Sequence, residues 1–237
     1  MITVLAAPGS LIAGQLLALD DDEVHHLGVR RAEAGELATA VDGAGARAWG
    51  VLEREGKRLA LRVETVQHEP APPVTVLALG AGDRDRFGQV ADQAAALGAT
   101  VIVPLETERS LSVATRLKPA HLERMQRRAT DALKQCGAAW SPGIAPLISL
   151  TAWVAGSPAT VGWLADAHGG PMPALARGAA LTIAVGPEGG FTEAERAGML
   201  ATGFTPVRCA PAVLRFETAA LAALTTAWQA RQRGFDG

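Results

Sequence analysis

The feature that most constrains this chain is a change of hydrophobic period near residue 70. Ahead of it, short apolar runs at 4–7, 16–19, 37–41, 49–52 and 59–63 alternate with turn signals. Asp42-Gly43, Gly45 and Glu55-Gly56 separate the later runs, the punctuation of hairpins, and predict a small β-barrel over residues 1–70. Pro70-Ala71-Pro72-Pro73 is a stiff, extended link. Beyond it, over 71–237, continuous apolar runs alternate with helical patterns. Strands are predicted at 74–79, 101–103, 181–185 and 205–209, and helices follow Gly80-Ala81-Gly82, Pro119, Thr192 and Phe216. Fully apolar strands in β/α alternation predict an α/β domain with a mostly parallel sheet and helices on both faces.

The stripe Leu122, Met125, Ala129, Leu133 and Cys136 reads as the core face of one helix opened by Pro119. Arg124, Arg127, Arg128 and Lys134 fall largely off that stripe. Residues 108–134 carry 7 basic and 3 acidic side chains, although the whole chain has a net charge of −2. From charge alone the plainer reading is a solvated helix face. A chain with no Tyr and 4% aromatic residues is poorly equipped to stack bases on a sheet. Cys136 and Cys209 lie far apart without metal-ligand spacing, which predicts free thiols and no metal site. The amino-terminal stretch lacks a basic region ahead of its apolar residues, and no apolar run is long enough to span a bilayer; a cytoplasmic protein is expected.

Parallel sheets bind ligands at the carboxyl ends of their strands. Three loops are placed there: Gly80 to Arg84, the stretch Gly186-Pro187-Glu188-Gly189-Gly190, and the stretch from Ala210 to Ala219. The second spends three glycines and a proline around one carboxylate, far more than a strand-to-helix turn requires. Thr192 and Glu195 supply a capping box for the next helix, so its first amides are already engaged and a phosphate cradle is disfavoured. Neither nucleotide-binding glycine motif is present. What remains is exposed backbone beside apolar residues, suited to a flat adenosine-like cofactor.

Gly186-Pro187-Glu188-Gly189-Gly190-Phe191-Thr192, followed by Val213-Leu214-Arg215-Phe216-Glu217-Thr218-Ala219, resembles the paired C-terminal motifs of the RsmE family. His26-Leu27 with Val29 and Arg31, Thr107-Glu108-Arg109-Ser110, and Gln135-Cys136-Gly137 with Pro142 extend the match in the same order along the chain. Members are SPOUT-class methyltransferases that use S-adenosylmethionine to modify ring N3 of a uridine in 16S rRNA of the small ribosomal subunit. The resemblance implies a PUA-like barrel, a C-terminal domain with a deep trefoil knot, and a homodimer with composite sites. It implies cofactor contacts from Leu79, Leu164, Gly186, Pro187, Glu188, Gly189, Gly190, Leu214, Arg215, Glu217, Thr218 and Ala219.

Because uracil N3 must lose a proton, the site needs a proton acceptor and a means of stabilising the anion. Arg215 is the candidate for anion stabilisation, and Glu188 or Glu217 for the proton. His26, Arg31, Arg84, Arg109, Arg124, Arg127, Arg128 and Lys134 are the candidate RNA contacts. The chain departs from the family pattern at Gly28, Gln93, Ala96, Ala138, Trp140, Ala212 and Phe216, mostly by losing positive charge. That keeps open a second reading, a non-catalytic or retargeted RNA-binding or ribosome-assembly protein on the same fold.

Overall fold

The computed structural model describes residues 2–110, 117–156 and 161–234. The chain forms two compact units, Met1–Ala71 with Thr130–Ser141, and Pro72–Ala129 with Pro142–Gly237. The first contains β1 (Ile2–Leu5), β2 (Leu16–Leu17), α1 (Asp21–Val29), β3 (Leu37–Val41), β4 (Ala46–Glu55) and β5 (Arg58–His68). Its sheet has the order β1-β3-β4-β5-β2; β1 runs parallel to β3 and the other pairs are antiparallel. Both expected hairpins are present. Among the described residues no pairing joins β1 to β2, so the sheet is open where a barrel was expected. Strand β2 is only two residues long before the chain turns into α1. That helix begins at Asp20, whose carboxylate accepts the Glu23 N–H at 2.8 Å. Val4, Leu27, Ala40, Ala48, Leu52 and Leu61 form the fully buried centre of this unit.

The second unit contains β6 (Thr75–Gly80), α2 (Arg84–Ala94), β7 (Val101–Glu106), a 3₁₀ turn (Glu108–Ser110) and α3 (Pro119–Asp131). After the short α4 (Leu133–Cys136) come β8 (Gly143–Ile144), β9 (Ile148–Ser149), α5 (Leu150–Gly156), β10 (Val161–Gly170), β11 (Leu181–Val185), α6 (Glu193–Ala201), β12 (Phe204–Val207) and α7 (Phe216–Gln232). The sheet order is β12-β10-β11-β6-β7-β8, with β9 also on β7, and every pairing is parallel. Alternate residues feed two cores. Leu77, Leu79, Ile183 and Val185 pack with Phe87 of α2 and Ala220 and Leu224 of α7. Ala78, Val103 and Ala184 pack with Leu150 and Met199 on the other face. Helices thus cover both faces, which is what lets β11 be buried along its whole length.

One helix expected from Pro119 to Cys136 is two. It is interrupted at Ala132 and ends at Gly137, whose φ of +69° is the left-handed cap glycine accepts readily. The segment Thr130–Ser141, which a division at residue 70 leaves in the second part, belongs to the first unit. Lys134 there donates to Glu23 at 2.7 Å, with Asp131 at 3.1 Å. Burial opposes charging Lys134, but the bonds to Glu23 and Asp131 outweigh it and raise its pKa above the usual 10.5. The stability that charged Lys134 contributes is therefore fully present below pH 10.5, as far as its own titration goes, and is lost as the pH rises through the elevated folded value. Among the described residues no helix is long and apolar enough to cross a membrane.

Lys134→Met leaves Glu23, nearly inaccessible, without its cation. Denaturant titration at neutral pH is expected to show a loss on the order of 3 kcal/mol, the scale for breaking a buried pair. The Glu23→Leu, Lys134→Met double variant recovers most of it; a single-variant loss below about 1 kcal/mol would make the pair an ordinary surface bridge.

Candidate active site

The carboxyl ends of β10, β11 and β12 face a cleft of about 560 Å³ in the second unit. Its walls are the end of β10 (Leu164, Ala165, Asp166, His168), the loop after β11 (Gly186, Pro187, Glu188, Gly190, Phe191) and the loop after β12 (Cys209, Ala210, Ala212, Val213, Leu214, Arg215). Phe216 and Ala219 of α7, Arg86 of α2, and Glu193 and Arg196 of α6 also line it. Of the residues expected at a cofactor site, Leu164, Gly186, Pro187, Glu188, Gly190, Leu214, Arg215 and Ala219 are brought together here. Leu79 is fully buried in the core, Gly189 and Thr218 are exposed outside the cleft wall, and Glu217 is partly buried outside it.

Local sequence explains the shape of the loop at 186–192. Gly80, at the end of β6, lies so close to Pro187 that an added Cβ would stand 2.3 Å from the proline Cδ. The Glu188 side chain reaches over Gly82 and accepts the Asp83 N–H at 3.4 Å. The Arg109 guanidinium donates to the Gly189 carbonyl. The capping box at Thr192 and Glu195 is present, and Glu195 also accepts the Glu108 N–H at 2.8 Å. The Thr107–Ser110 stretch is thereby pinned at two points, to the loop through Arg109 and to the first turn of α6 through Glu108.

The cleft carries paired charges of both signs. Arg86 lies 3.6 Å from Glu188 and 4.0 Å from Glu217. Asp166 pairs with Arg196 at 2.9 Å and accepts the His168 N–H at 2.8 Å. Burial disfavours the Asp166 anion, yet these two partners prevail and hold its carboxyl below the usual range. Cys209 is a free thiol whose pKa burial pushes up. Arg215 is exposed at the start of α7, and among the described residues no carboxylate pairs with it.

The basic candidates separate by their partners. Arg124 and Arg127 are exposed on α3. Arg128 is bound by Asp92, and its guanidinium occupies the space that Gly88 leaves open. The Asp92 hydrogen bond outweighs partial burial and raises the Arg128 pKa. Arg84 contacts His121 at 3.1 Å, Arg109 is engaged as described, and Lys134 is held in the first unit. His26 has an enclosed Nε2 without a hydrogen-bond partner among the described residues, whereas Arg31 is exposed with a φ of +54°. Trp140 packs its ring over Gly45 and donates to the Glu69 carbonyl at 3.2 Å.

Sequence reasoning missed Arg86, Asp166, His168 and Arg196. The last three depend on β10, whose pairing with β12 jumps from Ala165 to Gly170, so the residues between are displaced from the ladder. The run Val161-Gly162-Trp163-Leu164 was the available signal, and Gly162 weakened it.

A parallel α/β unit with a cleft of this kind is a fold for small-ligand chemistry, and the RNA methyltransferase domain model matches residues 69–228. The chain is 32% identical over 234 residues to ribosomal RNA small subunit methyltransferase E of a Synechocystis strain, covering 93% of this chain and 75% of that relative. It superposes on the crystal structure of ribosomal RNA small subunit methyltransferase E from Neisseria gonorrhoeae bound to S-adenosylmethionine. The TM-score there is 0.84 at 27% identity, with 97% of each chain covered. A Legionella pneumophila structure with S-adenosylmethionine bound gives a TM-score of 0.78 at 27% identity, over 100% of this chain and 99% of that one. The chain belongs to the ribosomal RNA small subunit methyltransferase E family.

Gly80→Ala is expected to melt at a clearly lower temperature, because a new methyl against the Pro187 backbone costs about 1–3 kcal/mol. Gly178→Ala, with open space around it, is the control. Equal melting of the two variants in calorimetry would show that the loop at 186–190 gives way freely.

Proposed function

We propose that this protein is an S-adenosylmethionine-dependent methyltransferase that modifies ring N3 of a specific uridine in 16S rRNA of the small ribosomal subunit. The observation that carries this reading is the cleft itself: the two motif loops and the end of β10 meet around one space of about 560 Å³. That volume lies in the range of small-ligand sites. Its walls are largely backbone and small or apolar side chains, which fits the adenosine part of the cofactor. Asp166 and Glu188 add negative charge for a cation. Leu164, Gly186, Pro187, Gly190, Leu214 and Ala219 would hold the cofactor, with Leu79, Gly189, Glu217 and Thr218 supporting from the same strands and loops. When bound, S-adenosylmethionine supplies an electrophilic methyl group on a sulfonium.

The chain's own residues do the rest. Arg215, unpaired and exposed at the start of α7, is suited to stabilise negative charge on the uracil oxygens. Glu188 and Glu217 are the carboxylates able to accept the N3 proton. Arg124 and Arg127 are the exposed arginines best placed for phosphate, with Arg31, Arg84 and Arg109 as further contacts. Arg128, Lys134 and His26 act mainly within the protein. The first unit serves as the PUA-like RNA-binding domain, and the second as the knotted SPOUT domain. We place the enzyme in the cytoplasm as a homodimer; exposed Trp228 on α7 supports a covered face there.

The test is methyl transfer from labelled S-adenosylmethionine to small subunits lacking the modification, with naked rRNA and tRNA alongside, read by nucleoside mass spectrometry. The expected product is 3-methyluridine on the small subunit. Cofactor binding without product on any RNA would favour the non-catalytic reading and direct attention to Gln93, Ala138 and Trp140.

A further inference from the structure

Two carboxylates share Arg86, and they are not equivalent. Glu188 Oε1 accepts the Asp83 N–H and lies 3.6 Å from Arg86, and its side chain is 38% exposed. It clips the loop after β11 onto the turn between β6 and α2. Glu217 sits in the first turn of α7, where the helix amino terminus favours a carboxylate. Its Oε2 is enclosed and makes no hydrogen bond among the described residues; the Arg86 guanidinium at 4.0 Å is too distant for one. A buried carboxylate oxygen without a donor is uncommon and calls for a reason. The charged groups facing it are Arg86 from α2 and, across that guanidinium, Glu188, while Arg215 lies on its own helix start. Arg86 is also part of the cleft wall.

We propose that Glu217 is the base that accepts the uracil N3 proton, and that Arg86, which does line the cleft, is the positioning residue that orients the Glu217 carboxylate beside it. The inference rests on the methyltransferase reading above and deepens it. The N3–H bond breaks, its proton forms an O–H bond with Glu217 directly or across one water, and the bonding pair stays on N3. The carboxylate becomes neutral as the uracil becomes an anion. Arg86 therefore faces the same total charge before and after, and Arg215 is free to serve the uracil oxygens.

The test combines single-turnover methyl transfer to unmodified small subunits with calorimetric binding of S-adenosylhomocysteine. Glu217→Gln is expected to lower the rate at neutral pH by about 100-fold or more, the scale of general-base catalysis. Its affinity for S-adenosylhomocysteine falls far less than the rate does, because Glu217 supports the cofactor from outside the cleft wall. The residual rate climbs about tenfold per pH unit towards alkaline pH, as solvent takes over removal of the proton. Arg86→Gln also slows the reaction, and Arg86→Lys restores part of the loss. Should Glu217→Gln lose binding, Glu217→Asp decides in its place: a slowed reaction with binding kept supports the assignment. An unchanged rate in either Glu217 variant that retains binding, or a loss in Glu217→Gln that ignores pH, overturns it. Wild-type protein yielding no 3-methyluridine overturns the underlying reading too, whereas active wild type beside an equally active Glu217→Gln overturns this inference alone.

Discussion

Parallel pairing of β10, β11 and β6 is the constraint on which the rest of the second unit depends. Parallel strands all end at the same edge of the sheet, so the loops that leave them converge without further design. Burial on both faces fixes the register, because a slip by one residue would exchange the two cores. Leu77 and Leu79 would change places with Ala78, and Ile183 with Ala184. The same register brings Gly80 level with the loop after β11, and only a residue without a side chain allows Pro187 to pack there. Cleft shape is thus set by strand order and one close approach, with few side chains directing it.

Part of the charge in this protein is committed to internal pairing, which clarifies what the remaining charges can do. Arg128 is tied to Asp92, Arg196 to Asp166, Lys134 to Glu23, and Arg47 to Glu69. Among the described residues Arg231 pairs with no carboxylate. It donates to Thr75 Oγ1 and to the Val74 and Ala179 carbonyls, locking the end of α7 to the entries of β6 and β11. Arg124, Arg127 and Arg215 stay exposed. A helix face that reads in sequence as a continuous basic strip therefore resolves into two exposed arginines and two engaged cations.

Much of this was legible in the sequence because apolar period is a local property. Residues 181–185 announce a buried strand, and the Thr192 to Glu195 spacing announces the cap that follows. Gly186 to Gly190 announces a loop with more than a turn to make. Other elements were hidden for physical reasons. Helix α1 offers only Val24 and Leu27 as an apolar face, and its true signal is Asp20 with Glu23 three residues later. Strand β10 begins Val-Gly-Trp-Leu and gives way to Asp166 and His168, so its contribution to the cleft depends on pairing with β12, far along the chain. Arg86 could not be told from Arg84 by pattern. Only the packing of α2 beside the loop after β11 distinguishes the arginine that meets Glu188 and Glu217 from the one that meets His121.

The central claim is that the ends of β10, β11 and β12 form one cofactor cleft. Amide hydrogen exchange with and without S-adenosylhomocysteine tests it most directly, since bound ligand stabilises the local structure it touches. The account predicts slowed exchange concentrated in 164–168, 186–191 and 209–219, with the sheet of the first unit unchanged. Binding that leaves those three segments unprotected, or protects a different surface, would contradict it.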